Sequence, residues 1–450
     1  MKIKNKIAFW TGKLSFFLAR FLNFKSTSGP GLISNKISDD LIDDFFSKIN
    51  KSIFVTGTNG KSTSTGFLAN ILEKEFDLIC NKSGANLKSG LLTSFIKASN
   101  FKGEVYSKNI LFEIDEAVLH YICKIKPPDY ILINNFFRDQ LDRFGEMSNT
   151  INLVQKGLDY LSEKNFIICN SDDPNVCSLK AKNIIYFGLS PELEEIDNLK
   201  IFAEELGLCP KCKNELKYNK QWLGQFGDYY CTYCDYIKPK LNVEIKDLKL
   251  NINSSEISVD FKNLNDNRHL DLTVPIGGLF NVYNALGVIC TANALKISHE
   301  NIKSGIETYR PLFGRSQKIK YNNKNCQIFL IKNPIGASEV LRLLSKNNNS
   351  HILIIINDNY ADGRDVSWLW DAYFEYLNNN KNIIYLSGSR ASDIAVRLKY
   401  AGININNIKI INNIKACIKE FTEINSKEDF YILPTYTALL ELTKILNIKY

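Results

Sequence analysis

Histidine is scarce. The 450 residues hold four (His120, His269, His299 and His351), none at ligand spacing from another, which argues against a histidine-based metal hydrolase. No apolar run is long enough to span a bilayer. The most apolar stretch near the start, residues 7–24, is broken by Lys13 and Arg20 and lacks a small-residue cleavage site, so it does not read as a signal peptide. The eleven cysteines are an odd number in a long chain, which argues against a secreted disulfide framework. Internal repeats and low-complexity tracts are missing, as are the Arg-rich stripe and the basic–aromatic interleaving that nucleic-acid binding would need. What remains is an ordinary globular composition, 45% hydrophobic and 23% charged, with a net charge of +8 that permits acidic ligands without naming one. The length predicts about three domains.

Near the start, Trp10, Leu14, Phe17, Leu18 and Phe21 recur at helical spacing and form one apolar stripe. Such a stripe packs the helix onto its own domain or rests it on a membrane surface as a basic amphipathic helix. From residue 51 onward, short apolar runs alternate with helical patterns, as in α/β units around a largely parallel sheet. Strands are predicted at 52–57 (SIFVTG), 109–115, 130–135 and 165–170, and a helix at 61–76. The rhythm breaks at 207–240, rich in Cys, Lys, Tyr and Gly, and alternating polar and apolar residues then predict antiparallel strands. Helices are predicted near Asn281 and His299. A second α/β rhythm follows residue 314, with strands at 326–331, 351–357, 382–387, 408–411 and 429–433, giving a doubly wound sheet. The predicted organisation is a helical segment over 1–45, an ATP-binding α/β domain over 46–314 with an insertion at 205–240, and a Rossmann-like α/β domain over 315–450.

The sharpest local signal is Thr56-Gly57-Thr58-Asn59-Gly60-Lys61-Ser62-Thr63, between a β-branched strand and a helix. Glycines let the backbone bend close to phosphate oxygens, and amides at the helix start point at the anion. Lys61 supplies charge to the β and γ phosphates, and the Ser62 hydroxyl can ligate Mg²⁺. Val55 stands where the general pattern has glycine, so this is a compacted variant that predicts ATP binding. In the insertion, Cys209-Pro-Lys-Cys212 and Cys231-Thr-Tyr-Cys234 make two CxxC pairs at zinc-ribbon spacing. Four thiolates complete a tetrahedral zinc with no open position, so the predicted site is structural.

The octapeptide TGTNGKST resembles the nucleotide loop of the Mur ligases and folylpolyglutamate synthases, which make amide bonds through an acyl phosphate. FEIDE (Glu113), the segment 134–146 (NNFFRDQLDRFGE), NSDDP (Asn170 to Pro174), FNVYNAL (Asn281, Asn284) and FGR (Arg315) agree in order and spacing. With the inserted knuckles and ADGRDVSWLWD near the end, the chain is most similar to the ligase subunits of lipid II isoglutaminyl synthases. That resemblance implies a Mur-ligase central domain of P-loop type with an inserted zinc ribbon. It implies Glu113 and Ser62 as magnesium ligands, Asn284 against adenine, Arg315 on phosphate, and Lys332 as a cation presented to the nucleotide. It further implies a GatD-like glutaminase partner that supplies ammonia, and lipid II at the membrane surface as substrate.

Two departures stand out. Asp139-Gln140 replaces the Asp-His of ordinary Mur ligases, removing a histidine ligand. The loop's strand begins at residue 52, where those enzymes carry an extra domain for the nucleotide-sugar end, so substrate recognition is expected to differ.

Glu113 ends a buried-type strand, where a carboxylate can reach metal at the loop; Asp115 and Glu116 fit solvated strand-end carboxylates better. Asp358, Asp362 and Asp365 crowd the loop after the 351–357 strand. From composition, Asp365 fits the N-cap of a helix VSWLWDAYFEYL; the resemblance instead assigns it the third place in a Cys-His-Asp triad completed by the glutaminase. Consistent with a partner, no GxCxG-like nucleophile turn occurs here. Two alternatives stay open at this point: a ligase that adds an amino acid, and a zinc-ribbon nucleotide-binding scaffold.

Overall fold

The computed structural model describes residues 2–22, 27–81, 84–137, 147–193, 207–251, 253–263, 266–310, 315–347 and 349–447. The strands are β1 (Lys51–Thr56), β2 (Ile79–Cys80), β3 (Asn109–Glu113), β4 (Tyr130–Ile133), β5 (Phe166–Asn170) and β6 (Ile184–Leu189), then the hairpin β7 (Leu216–Leu223) and β8 (Phe226–Cys231). They continue with β9 (Val243–Leu250), β10 (Ser255–Asn263), β11 (Asp266–Val274), β12 (Arg315–Tyr321), β13 (Lys324–Phe329), β14 (His351–Ile355), β15 (Ile384–Ser387), β16 (Ile408–Ile410) and β17 (Phe430–Pro434). One sheet runs β11-β10-β9-β6-β5-β4-β1-β3-β2, parallel from β9 to β2 and antiparallel at the β9-β10-β11 edge. Its central strands are apolar on both faces because helices cover both. Ile53 and Val55 point into the core built around helix Leu279–Ala294, while Phe54 points into the opposite core with Phe46, Phe95 and Phe112. The second sheet, β12-β13-β17-β14-β15-β16, is parallel except for the antiparallel edge strand β12.

The helix predicted over 61–76 ends at Leu72. The helix expected to run on from Val366 is a four-residue helix, Trp368–Asp371, whose N-cap is Ser367, so Asp365 is not its cap; a 3₁₀ turn, Phe374–Leu377, follows. Asp365 instead accepts from the Ser367 backbone N–H (2.8 Å), closing an Asx turn.

The N-terminal helix, Ile3–Phe21, packs by the face opposite to its apolar stripe. Ala8, Phe9, Gly12 and Lys13 are buried, and a Cβ on Gly12 would lie 2.0 Å from Ser34 Oγ, so the small residue sets how closely helix Gly29–Ile37 approaches. The Lys13 ammonium donates to the carbonyls of Ile96 (2.7 Å) and Ser99 at the end of helix Lys88–Lys97, and burial lowers its pKa. Trp10, Leu14, Phe17, Leu18 and Phe21 are all exposed, which overturns packing of this stripe onto its own domain.

Candidate functional site

Parallel pairing of Val55 with Glu113 and of Thr56 with Ile133 brings the carboxyl ends of β1, β3 and β4 to one edge, where ligands gather in sheets of this kind. The loop from Gly57 to Gly60 is held there. The N–H groups of Thr58 and Asn59 donate to the backbone oxygen and Oδ1 of Asn135 (2.9 Å each). Thr58 Oγ1 accepts from the Phe137 N–H (3.1 Å). Asn134 and Asn135 side chains both donate to the Asn59 carbonyl (3.3 and 3.1 Å). Gly60 has φ +82°, and a Cβ there would sit 1.9 Å from Asn284 Oδ1. Gly60→Ala is therefore expected to cost about 1–3 kcal/mol in backbone strain alone and to abolish nucleotide binding, read by thermal unfolding and calorimetry.

Lys61 opens helix Lys61–Leu72. Its ammonium donates to the Gly57 carbonyl (2.6 Å) and to both Glu116 oxygens (3.0 and 3.1 Å). Burial disfavours the ammonium, but the carboxylates of Glu116, Asp115 and Glu113 outweigh burial and raise its pKa, so the residue stays cationic. The expectation that Asp115 and Glu116 are solvated is overturned. Asp115 is buried and caps helix Glu116–Ile125 through the Ala117 N–H (3.1 Å), and Glu116 is buried against Lys61. The sequence offered no mark separating Glu116 from an exposed first-turn glutamate.

Glu113 is 3% exposed; Asn81 bonds its backbone on both sides, and Asn86 Nδ2 donates to Oε1 (3.0 Å). The other oxygen, Oε2, and Ser62 Oγ lie 3.9 and 3.6 Å from the point where a Cβ on Gly84 would stand. Both oxygens thus lie within 4 Å of one point, and a carboxylate with a hydroxyl is a donor set suited to a hard divalent cation. Asn59 Nδ2 is buried and, among the described residues, has no acceptor, which fits a phosphate oxygen in the cradle.

The second α/β unit reaches this edge. Asn333 caps helix Pro334–Leu344 through the Gly336 N–H and donates from Nδ2 to Asn59 Oδ1 (2.7 Å). Glu339 on the same helix accepts from the Leu279 N–H (2.9 Å) and pairs with Arg342. Lys332 directly precedes Asn333 in the chain. The backbone of Arg315 opens β12, but its side chain lies outside the described residues, as do Asp139 and Gln140. The loop that carries Asp365 is fastened by Asp362 to Thr437 and by Asp358 to Ser389 and Arg390.

Sequence reasoning missed Asn135, Asn333 and Gln225. Gln225, at the tip of the β7-β8 hairpin, donates to the Phe136 carbonyl and to Asp173 Oδ1 (3.3 Å), and Phe226 stacks on Phe137 (4.9 Å). Asp173 also accepts from the N–H groups of Phe136 (2.8 Å) and Asn175 (2.9 Å), yet burial pushes its pKa up to about 7. Because the folded value exceeds the unfolded one, the folded chain holds the extra proton between about pH 4 and 7, and this group's contribution falls as pH rises through that window. Asp173→Asn would turn an NH₂ toward a backbone donor; it is expected to destabilise by about 1–3 kcal/mol and remove that pH dependence, measured by denaturant titration at pH 5 and 8.

The four knuckle thiols lie within 4.8 Å of one another, with Cys209–Cys234 at 3.7 Å and Cys212–Cys231 at 3.5 Å. Backbone and side-chain N–H groups of Asn214 pull Cys212 down to about 6. Elsewhere burial pushes the Cys169 and Cys290 thiols up, which disfavours the thiolate at both.

A glycine-bent phosphate loop on a parallel sheet, touched by a second α/β unit, defines an ATP-dependent ligase of the Mur type. Residues 55–227 match the Mur ligase middle domain and residues 330–439 the MurT ligase C-terminal family. The fold is similar to that of a pseudomurein peptide ligase type C from Methanothermus fervidus (TM-score 0.66, 21% identity, 90% of this chain and 80% of that one). It is also similar to MurF from Thermotoga maritima in complex with ADP (TM-score 0.61, 14% identity, 92% and 84%). The chain is 33% identical over 99% of its length to subunit MurT of the glutamine-hydrolysing lipid II isoglutaminyl synthase of Streptococcus pneumoniae, covering 98% of that protein. It is 31% identical over 97% of its length to the Staphylococcus aureus subunit of the same name, covering 98%. The chain belongs to the MurT family.

Proposed function

We propose that this chain is the ligase subunit that amidates the α-carboxylate of D-glutamate in the lipid II stem peptide, giving D-isoglutamine for peptidoglycan synthesis. The observation that carries the proposal is the grouping of Lys61, Ser62 and Glu113 around the glycine-bent loop, in a chain with end-to-end similarity to lipid II isoglutaminyl synthase subunits. The γ-phosphoryl group of ATP passes to a carboxylate oxygen, giving an acyl phosphate and ADP. The nitrogen of ammonia then attacks the carbonyl carbon; the C–O bond to phosphate breaks, phosphate leaves, and the nitrogen sheds a proton.

In this scheme the amides from Gly57 to Thr63 cradle the phosphates, and the Lys61 ammonium offsets charge on the migrating phosphoryl group. Asn284 contacts adenine, and Arg315 and Lys332 bring cations from the following α/β unit. Ser62 and Glu113 would hold Mg²⁺, which supplies further charge neutralisation. Cys209, Cys212, Cys231 and Cys234 would hold Zn²⁺ as a structural ribbon spanning 205–240. The working division is 1–45, 46–314 and 315–450, the last contacting a GatD-like glutaminase whose triad Asp365 completes. The complex works at the inner face of the membrane, where its lipid-linked substrate sits.

Mass spectrometry of the stem peptide after incubation with ATP and ammonia tests the proposal. Gain of an amide supports it; unchanged mass, or incorporation of a labelled amino acid, overturns it. The metal assignment has its own check. Chelation at pH 7 is expected to release one zinc per chain and lower the melting temperature by several degrees, because Gln225 and Phe226 root the ribbon hairpin in the core beside the loop.

A further inference from the structure

Among the described residues, the apolar face of the N-terminal helix is left largely exposed, with Phe101 the one aromatic ring from elsewhere in the fold stacked on it. Trp10, Leu14, Phe17, Leu18 and Phe21 are 51, 60, 39, 53 and 84% exposed, and Phe101 from a neighbouring loop (57% exposed) stacks on both Trp10 (5.8 Å) and Phe17 (5.7 Å). An aromatic stack left half in water is a contiguous patch of the kind a monomer rarely tolerates without a use. The charge on the helix itself is of one sign. No Asp or Glu precedes Asp39 in the chain, while Lys4, Lys6 and Arg20 on the helix and Lys97 and Lys102 beside it are exposed. The nearby acids are held in contacts of their own: Asp44 accepts from Asn5 on the buried face of the helix, Asp39 pairs with Lys88, and Glu104 accepts from Asn100.

We infer that this helix and Phe101 form a docking face for an anionic lipid bilayer, lying in the interface with the aromatic rings among the acyl chains and the lysines at the headgroups. No described helix is long and apolar enough to cross a membrane, so the helix lies along it. Aromatic residues favour that boundary because they are broad, apolar and rigid. The face is also mechanically tied to the reaction edge. Helix Lys88–Lys97, about 15 Å long by its ten residues, starts just after Asn86, which bonds Glu113, and carries in its last turn Ile96, whose carbonyl holds Lys13. A lipid-linked substrate anchored beneath this face could thus present its headgroup to the edge without leaving the bilayer. The inference rests on the proposed ligase reading for its purpose, while its physical claim stands apart from the chemistry.

The test is co-sedimentation of the full chain, alone and with its glutaminase partner, with vesicles of phosphatidylcholine or of phosphatidylcholine mixed with phosphatidylglycerol. Binding is expected with the anionic vesicles, weakening with salt. Leu18→Asp with Phe21→Asp should reduce it about tenfold or more, and Lys4→Glu with Lys6→Glu should reduce it on anionic vesicles alone. All these positions are exposed, so magnesium-dependent nucleotide binding by calorimetry should be unchanged; its absence from every variant and the parent would count against the ligase reading, not the docking face. No pelleting with anionic vesicles, equal pelleting of the aspartate variant, a dimer dispersed by the same substitutions, or loss of binding when the partner joins would each overturn the inference.

Discussion

Replacing Lys61 with alanine should lower ATP-dependent amidation by about 10²–10³-fold or more, the size of effect that follows removal of one preorganised charge from a transition state. The side chain is 13% exposed and its ammonium is fixed by the Gly57 carbonyl and Glu116, so little reorganisation is needed when a phosphoryl group carries negative charge past it. Alanine also leaves the buried carboxylates of Glu116 and Glu113 facing each other's field without their cation. Two effects therefore combine, lost stabilisation of the migrating group and repulsion of the polyphosphate. Glu116→Gln separates them: it frees the ammonium while keeping a hydrogen-bond acceptor, and is expected to change nucleotide affinity far less than Lys61→Ala. ADP release at saturating substrate is the measurement, with circular dichroism to establish folding. A folded Lys61→Ala chain with turnover within a few-fold of the parent would remove Lys61 from the reaction.

The loop was legible because its chemistry is local. Glycines at the bend, a lysine and a serine at the helix start, and a β-branched strand before them are all consequences of one short backbone path, which turns between Thr56 at the end of β1 and Lys61 at the start of the helix. The parallel strands were legible for a related reason: burial on both faces writes itself as continuous apolar runs such as ILF in β3 and YILI in β4. Edge strand β12, RSQKIKY, carries no such run, and β2 has two residues. Contacts across long sequence separations left no trace either. Asn333 meeting Asn59 spans 274 residues, and nothing in KNP announces it. The N-terminal stripe misled in direction, because amphipathicity specifies that one face differs from the other and not which face the fold covers. Ala8 and Gly12 were the better guide: small residues mark where a helix backbone comes close to its neighbour.

Asp365→Asn should abolish glutamine-dependent amidation while leaving ammonia-dependent amidation close to the parent rate. The substitution is chosen for what it keeps. Asp365 Oδ1 accepts from the Ser367 N–H, and the amide oxygen of asparagine can do the same, so the Asx turn ahead of helix Trp368–Asp371 survives. The loop is anchored independently by Asp362 on Thr437 and Asp358 on Arg390, neither of which is touched. If Asp365 completes the proposed triad, what asparagine cannot do is hold the partner's histidine in the correct tautomer and stabilise its imidazolium; loss of such a carboxylate from an acid–base triad costs on the order of 10⁴-fold. The ligase half keeps Lys61, Ser62 and Glu113 and needs only dissolved ammonia. Running both nitrogen donors on one preparation makes the comparison internal. Equal loss with both would point to a collapsed loop and strike Asp365 from the triad, and full activity with glutamine would place the third residue elsewhere.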